Sequence, residues 1–155
     1  MEAFFYHLER KALEEVLPEL LERTLARGWR AVIRPGSLER AEALDGHLWS
    51  YRDDSFLPHG LAREPHAAAQ PILIDLDQRN TNAAQILFLV DGAEPRDWQA
   101  LAALGFERTA LIFDGRDANA VAAARESWKS AKAASVPAQY WQQNAAGKWE
   151  NKAQS

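Results

Sequence analysis

The sequence predicts a single α/β domain, in which helices cover both faces of a mostly parallel, open sheet of about five strands. Two observations indicate this class. Residues 1–48 alternate between strand-like and helix-like segments in the order strand, helix, strand, helix. Residues 71–76 and 85–91 are almost continuously apolar, which is typical of parallel strands that are buried on both faces.

The first half of the chain supplies three of the predicted strands, at residues 3–8, 29–34 and 71–76. Residues 11–27 carry leucine and valine at helical spacing and predict an amphipathic helix that ends at Gly28. We expect either a kink at Pro18 or a helix that begins near it. Ser37 predicts the N-cap of a second helix that continues to Leu48. Residues 50–70 show no periodicity and predict an irregular segment.

The second half predicts a strand at 85–91, a helix at 94–104, a strand at 109–114 and an alanine-rich helix that Asp117 caps and that continues to about 134. Tyr140, Trp141 and Trp149 lie on either side of Asn144-Ala-Ala-Gly147, a pattern that favours a hairpin or an irregular, partly mobile arm. We therefore divide the chain into one α/β domain at 1–136 and a C-terminal arm at 137–155.

Composition excludes several classes of function. The 155 residues carry a net charge of −4, which argues against a protein that grips nucleic acid with its whole surface. There is no cysteine, so no disulfide or thiolate site can form. No apolar run approaches the ~20 residues that span a bilayer, and the N-terminus does not resemble a signal peptide. We expect a cytoplasmic protein without a membrane partner.

Catalytic and cofactor motifs are weak throughout the sequence. The predicted sheet is Rossmann-like, yet neither the glycine-rich dinucleotide motif nor the P-loop motif is present, so we expect no nucleotide site and no cofactor. Asp75 and Asp77 end a strand, and with His59 or His66 they form the basis of one alternative, a metal-dependent hydrolase. Solvated carboxylates and surface histidines are the simpler interpretation. Ser55 lacks the glycines of a nucleophile elbow. We expect no metal site and no intrinsic catalysis.

The C-terminal helix carries a basic stripe with a tryptophan. Arg125, Trp128, Lys129 and Lys132 follow at i, i+3, i+4 and i+7 and so share one face. This face suits an acidic peptide with an apolar terminal residue, and Tyr140 and Trp141 follow closely enough to line the same pocket. Two other interpretations remain open. The face is solvated with Trp128 tucked into the core, or it contacts nucleic acid weakly and directly.

A second group of aromatic residues lies in the segment 47–60, which includes Trp49, Tyr51 and Phe56. Large rings among charged and turn-forming residues either fold back onto the core or serve as anchors for a partner protein.

Several segments together resemble the chi subunit of bacterial DNA polymerase III holoenzyme, over essentially the whole chain. The specific part is Leu48-Trp49 with Ser55-Phe56-Leu57-Pro58-His59. The Phe-Tyr pair at 5–6, Gly28-Trp29-Arg30, the segment 125–129 and Tyr140-Trp-Gln-Gln143 are consistent with it.

The resemblance implies a non-catalytic subunit of the clamp-loader assembly with a nucleotide-binding-like fold and no nucleotide site. It implies that the protein binds the acidic C-terminal tail of the single-stranded DNA-binding protein, so that contact with nucleic acid is mainly indirect. Arg125, Trp128 and Lys129 match the tail-binding helix, with Lys132 and Tyr140 as further candidates. Trp49 and Phe56 match positions that face the psi subunit, or an equivalent clamp-loader or helicase-like partner.

Overall fold

One sheet of eight strands forms within residues 1–52 and 56–155, the part of the chain that the computed structural model describes. The strands are β1 (Glu2–Leu8), β2 (Ala31–Arg34), β3 (His59–Leu61), β4 (Ile72–Ile74), β5 (Ile86–Leu89), β6 (Arg108–Asp114), β7 (Ala138–Gln143) and β8 (Trp149–Gln154). Their order across the sheet is β3-β4-β2-β5-β6-β1-β7-β8. Neighbours are parallel except for the antiparallel pair β7–β8. A mostly parallel α/β domain is confirmed, whereas the expectation of about five strands is wrong.

The three additional strands all lie near an edge of the sheet. β3 is a three-residue strand within the segment expected to be irregular, and it pairs with β4. β7 extends the sheet beyond β1, and β8 returns beside it as a hairpin. Asn144 shapes the hairpin turn, since its side-chain oxygen accepts hydrogen bonds from the N–H groups of Ala146 and Lys148. Of the two forms predicted for residues 137–155, the hairpin is the observed one, and it is continuous with the sheet.

Four helices pack on the two faces of the sheet in the described residues: α1 (Leu13–Ala26), α2 (Leu38–Ser50), α3 (Trp98–Ala102) and α4 (Ala118–Ala133). α1 and α2 cover one face, where Leu17 and Leu44 share a core with Ile33. α3 and α4 cover the other face, where Trp98 and Ala131 join the core around β1 and β5.

Helix α3 is shorter than the predicted span of 94–104. Arg96 has a left-handed backbone with φ of 59°, which a helix cannot continue through. Asp97 follows as the N-cap, and its carboxylate accepts hydrogen bonds from the N–H groups of Gln99 and Ala100. The helix therefore begins only at Trp98.

Side chains of β1 alternate between the two cores because successive residues of a strand point to opposite faces. Tyr6 and Leu8 belong to the core under α1 and α2. Ala3 and Phe5 belong to the core under α3 and α4. This alternation separates the chemistry of the two faces.

Pro18 is buried inside helix α1, which begins at Leu13, five residues before it. The helix therefore does not start near this proline, which was one of the two outcomes that we expected. A proline has no N–H to donate to the carbonyl four residues earlier, here Glu14. His47 of α2 fills this vacancy, since its Nε2 lies 2.7 Å from the Glu14 carbonyl oxygen. The proline thus creates a bond between α1 and α2.

Across the described part of the chain, no helix combines the length and apolar character needed to cross a membrane.

Candidate protein-interaction surfaces

Helix α4 is held against the sheet by small residues, which leaves its long side chains on the outside. Ala124, Ser127 and Ala131 are buried on its inner side. Asp117 caps its start by accepting hydrogen bonds from the N–H groups of Asn119 and Ala120. On the outer side, the exposed cations are Arg125, Lys129 and Lys132. With Trp128 and Tyr140 we call these residues the α4 surface.

Trp128 lies at the boundary between the core and the α4 surface. Its ring is half-buried and meets the ring of Phe5 edge-on, at 5.3 Å between centroids. It also meets Tyr140 of β7 at 6.1 Å. Trp128 was expected either to line a peptide-binding face or to tuck into the core. Part of the indole packs in the core and the remainder reaches the surface, so each interpretation describes part of the residue.

Tyr140 connects the α4 surface to the face of the sheet. Its hydroxyl forms a hydrogen bond with Nδ1 of His7, and its ring packs against Phe113. Burial raises the pKa of Tyr140, and the positive charge of Arg125 opposes this rise. Trp128 and Tyr140 are in ring contact, and Arg125 lies three residues before Trp128 on the same side of α4.

His7 is a supporting residue that the motifs and spacings of the sequence did not indicate. Its ring packs against both Phe113 and Tyr140, at centroid distances of 5.2 and 5.8 Å. Its Nε2 faces Glu9 at 3.5 Å. Gly115 leaves room for this ring, because a Cβ at that position would lie 1.9 Å from Nε2. Strand alternation was the available signal, since it places His7 on the same face as Phe5.

The cations of the α4 surface remain available to a ligand. Lys129 forms an ion pair with Glu126 at 3.2 Å, but both side chains are about three-quarters exposed, at 73% and 75%. Solvent screens such a pair, so exchanging it for a ligand carboxylate costs little.

Trp141 does not join the α4 surface, contrary to expectation. Its ring contacts Phe4 at 5.9 Å, on the opposite face of the sheet from Tyr140. Adjacent residues of a strand point to opposite faces, so Tyr140 and Trp141 cannot line one pocket.

The second surface is an aromatic pair, Trp49 and Phe56, near the C-terminal end of α2. These side chains are 56% and 64% exposed, and their rings lie 5.6 Å apart. Leu48 and Leu57, which adjoin them in sequence, are buried. The core therefore fixes the backbone on both sides while the two rings face outwards.

His59 supports the aromatic pair from below. Its ring packs against Trp49 at 4.5 Å, and its two nitrogens face the carbonyl oxygen of Leu57 and the carboxylate of Asp45. The buried histidine therefore holds Trp49 in place. Ser55, which was considered as a nucleophile, lies outside the described residues.

The strand-end aspartates bind arginine instead of approaching the histidines. Asp75 is buried, and its carboxylate accepts hydrogen bonds from Nε of Arg79 at 2.6 Å and from the N–H of Asp77 at 3.0 Å. His66 is exposed. Within residues 1–52 and 56–155, no three histidine, aspartate or glutamate side chains come together as metal ligands would. The geometry gives the hydrolase alternative no support.

Comparison with known proteins agrees with the resemblance seen in the sequence. The family model described as "DNA polymerase III chi subunit, HolC" matches residues 1–139. A "Probable DNA polymerase III subunit chi" of Rickettsia prowazekii is 29% identical over 85 residues, which are 55% of this chain and 52% of the relative. A "DNA polymerase III subunit chi" of Pseudomonas aeruginosa is 30% identical over 73 residues, 47% of this chain and 50% of the relative. The chain thus spans about half the length of the curated relatives it matches. The predicted family is confirmed.

Proposed function

We propose that this chain, which belongs to the DNA polymerase III chi subunit family, is a non-catalytic accessory subunit that tethers the clamp-loader assembly to the single-stranded DNA-binding protein. It does so by binding the acidic C-terminal tail of that protein on the α4 surface. One observation carries the proposal. Three exposed cations lie on one helical face beside a half-buried tryptophan.

The arrangement suits a short acidic peptide with an apolar terminal residue. Arg125 and Lys129 are one turn apart, so they can pair with carboxylates spaced along an extended peptide. The apolar end of the peptide would pack against the accessible parts of Trp128 and Tyr140. Because the cations are exposed, their attraction to the peptide is screened by salt.

Isothermal titration of the full chain with an acidic peptide that ends in an apolar residue and a free carboxylate tests this proposal. We expect a dissociation constant in the micromolar range, equivalent to about −8 kcal/mol, that weakens as salt is raised. Arg125→Ala and Lys129→Ala should each weaken binding several-fold.

Arg63→Ala is the matched control, since Arg63 is 60% exposed and pairs with another exposed side chain, Glu42. It should leave the affinity unchanged. A peptide with an amidated C-terminus should bind more weakly if its terminal carboxylate is recognised. Absence of binding, or binding that Arg125→Ala and Lys129→Ala leave intact, would contradict the proposal.

The aromatic pair supplies the second contact, to the psi subunit or to an equivalent clamp-loader or helicase-like partner. Two neighbouring exposed rings on a rigid base are typical anchors of a protein interface. Co-purification with clamp-loader components from the native organism tests this contact. The double variant Trp49→Ser/Phe56→Ser should lose these components, whereas Arg125→Ala should retain them. Retention by the double variant would exclude this surface.

A further inference from the structure

Arginine and aromatic side chains alternate in a continuous row on the face of the sheet opposite the α4 surface. The guanidinium of Arg27 lies 3.8 Å from the ring centroid of Trp29. The guanidinium of Arg108 lies 5.2 Å from Trp29 and 4.0 Å from Phe4. Phe4 in turn contacts Trp141. We call these five residues the arginine–aromatic row.

The row crosses several strands and continues to the hairpin. Trp29 precedes β2, whereas Arg108, Phe4 and Trp141 belong to the neighbouring strands β6, β1 and β7. Trp149 of β8 packs edge-on against Tyr6 beside the row, at 5.0 Å. The three strand spacings from β6 to β8 correspond to about 14 Å.

Positive charge is concentrated along the row, although the chain as a whole carries −4. Arg23 and Arg27 are exposed near the end of α1. Arg108 pairs with Glu2 at 2.9 Å. Burial raises the pKa of the Tyr6 hydroxyl to about 12, while the charges of Arg108, Arg23 and Arg27 oppose the rise and that of Glu2 adds to it. Arg23 and Arg27 are four residues apart near the end of α1, so these two exposed cations lie close together.

The aromatic residues retain accessible area. Trp29, Trp141 and Trp149 are each half-buried, so each indole is anchored in the protein while part of it reaches solvent. An anchored ring beside a guanidinium is the combination on which unpaired bases stack, because bases stack both on aromatic rings and on arginine planes.

We propose that the arginine–aromatic row, together with Arg23 and Trp149, binds single-stranded nucleic acid directly. The exposed Arg23 and Arg27 contact phosphates, and the indoles of Trp141 and Trp149 stack on bases. The part of the site from β6 to β8 spans about 14 Å and accommodates about four nucleotides at the ~3.4 Å spacing of stacked bases. About four nucleotides is the lower end of the range for single-stranded sites.

Charge complementarity favours nucleic acid over an apolar peptide, since a row of arginines with intervening rings matches a chain of regularly spaced phosphates and bases. An acidic peptide is the alternative occupant and is separated by experiment. The row is also independent of the α4 surface, because the two lie on opposite faces of the sheet.

Fluorescence anisotropy of a labelled oligothymidylate of about 15 nucleotides, titrated with the full chain at about 50 mM salt, tests the proposal. The double variant Arg23→Gln/Arg27→Gln alters two exposed side chains, and circular dichroism confirms that it folds. We expect this variant to bind oligothymidylate more weakly. The slope of log K against log salt should become shallower by about 1.4, which is about 0.7 for each of the two phosphates that are no longer neutralised. The variant Arg23→Lys/Arg27→Lys keeps both positive charges, so the salt dependence of its binding should stay close to that of the wild type. Trp141→Ala should weaken binding about tenfold because it removes a stacking platform.

Arg125→Gln/Lys129→Gln is the matched control on the α4 surface. It should leave oligothymidylate binding unchanged while it abolishes binding of the acidic peptide, so that this proposal and the tail-binding proposal can fail separately. No binding of oligothymidylate at low salt overturns the row as a nucleic-acid site, as does binding that only the α4 variant reduces. If Arg23→Gln/Arg27→Gln loses binding of the acidic peptide but keeps binding of oligothymidylate, the row binds a peptide. That result would also overturn the proposal.

Discussion

Replacing His47 by alanine tests whether a proline inside α1 determines how α2 is attached. Pro18 leaves the Glu14 carbonyl without its helical partner, and Nε2 of His47 donates to that oxygen at 2.7 Å. His47→Ala therefore leaves a half-buried carbonyl without its bond, which costs about 1–2 kcal/mol. Pro18→Ala restores an N–H at position 18, so the same carbonyl can accept a hydrogen bond from its own helix.

The two substitutions should therefore be coupled. In the Pro18→Ala background, His47→Ala should cost about 1 kcal/mol less than in the wild-type chain, because the Glu14 carbonyl is already satisfied. Effects common to both backgrounds, such as the removal of the His47 ring from its place beside Tyr51, cancel in this comparison. Proline removal also changes helix propensity and the entropy of the unfolded chain, but those terms cancel as well.

Urea unfolding of the four proteins, followed by circular dichroism, measures the coupling free energy. A coupling free energy below about 0.3 kcal/mol is within the error of additivity and would refute the role assigned to Pro18. A coupling free energy of about 1 kcal/mol would show that the bond from His47 to α1 helps to fix the backbone at Trp49, two residues later.

Two further predictions concern the core next to the proposed surfaces. Gly115→Ala places a Cβ where the His7 ring now lies, so it should destabilise the chain by about 1–3 kcal/mol. It should also weaken binding of the tail peptide, because His7 contacts Tyr140. Gly46→Ala, in an open position within α2, should instead stabilise the chain by about 0.5–1 kcal/mol. Unfolding free energies and peptide titrations of both variants measure this, and an unaffected Gly115→Ala protein would contradict the packing of His7. Burial raises the pKa of the Tyr6 hydroxyl from 10.0 to about 12, so its contribution to stability is complete below pH 10 and is lost as pH rises through 12. Relative to Tyr6→Phe, the wild type should lose about 1 kcal/mol between pH 8 and pH 11, and equal losses in the two proteins would show that this hydroxyl does not titrate as described.

The central part of the fold was predictable from the sequence because burial determines its pattern. Ile72–Ile74 and Ile86–Leu89 are buried on both faces and apolar throughout, and Ala118–Ala133 combines a cap with helical periodicity. Strands nearer the edges lack this signal. Trp149–Gln154 is mostly polar and exposed, and β3 contains only three residues, so pairing with neighbouring strands defines these elements more than local preference does.

The basic stripe on α4 could be predicted from helical spacing alone, since residues at i, i+3, i+4 and i+7 must share a face. Its contacts across the sheet did not. The partnership of Tyr140 with His7 depends on β7 pairing with β1, two strands that are distant in sequence. The same pairing sends Trp141 to the other face, where it joins the arginine–aromatic row.

The positions of the α4 surface and the aromatic pair bear on whether one small domain can connect two partners. Trp49 packs on His59 of β3, which forms one edge of the sheet, and Tyr140 belongs to β7, near the opposite edge. Six strand spacings separate β3 from β7, or about 29 Å. This distance exceeds the Debye length of ~8 Å at physiological salt, so charges of one partner are screened from the other site. The two partners should therefore bind without competing and with nearly additive free energies. Titration of the tail peptide into the complex with the second partner should give the affinity of the free chain. A marked loss of affinity in that complex would mean that the two surfaces are alternative sites and would remove the geometric basis for tethering.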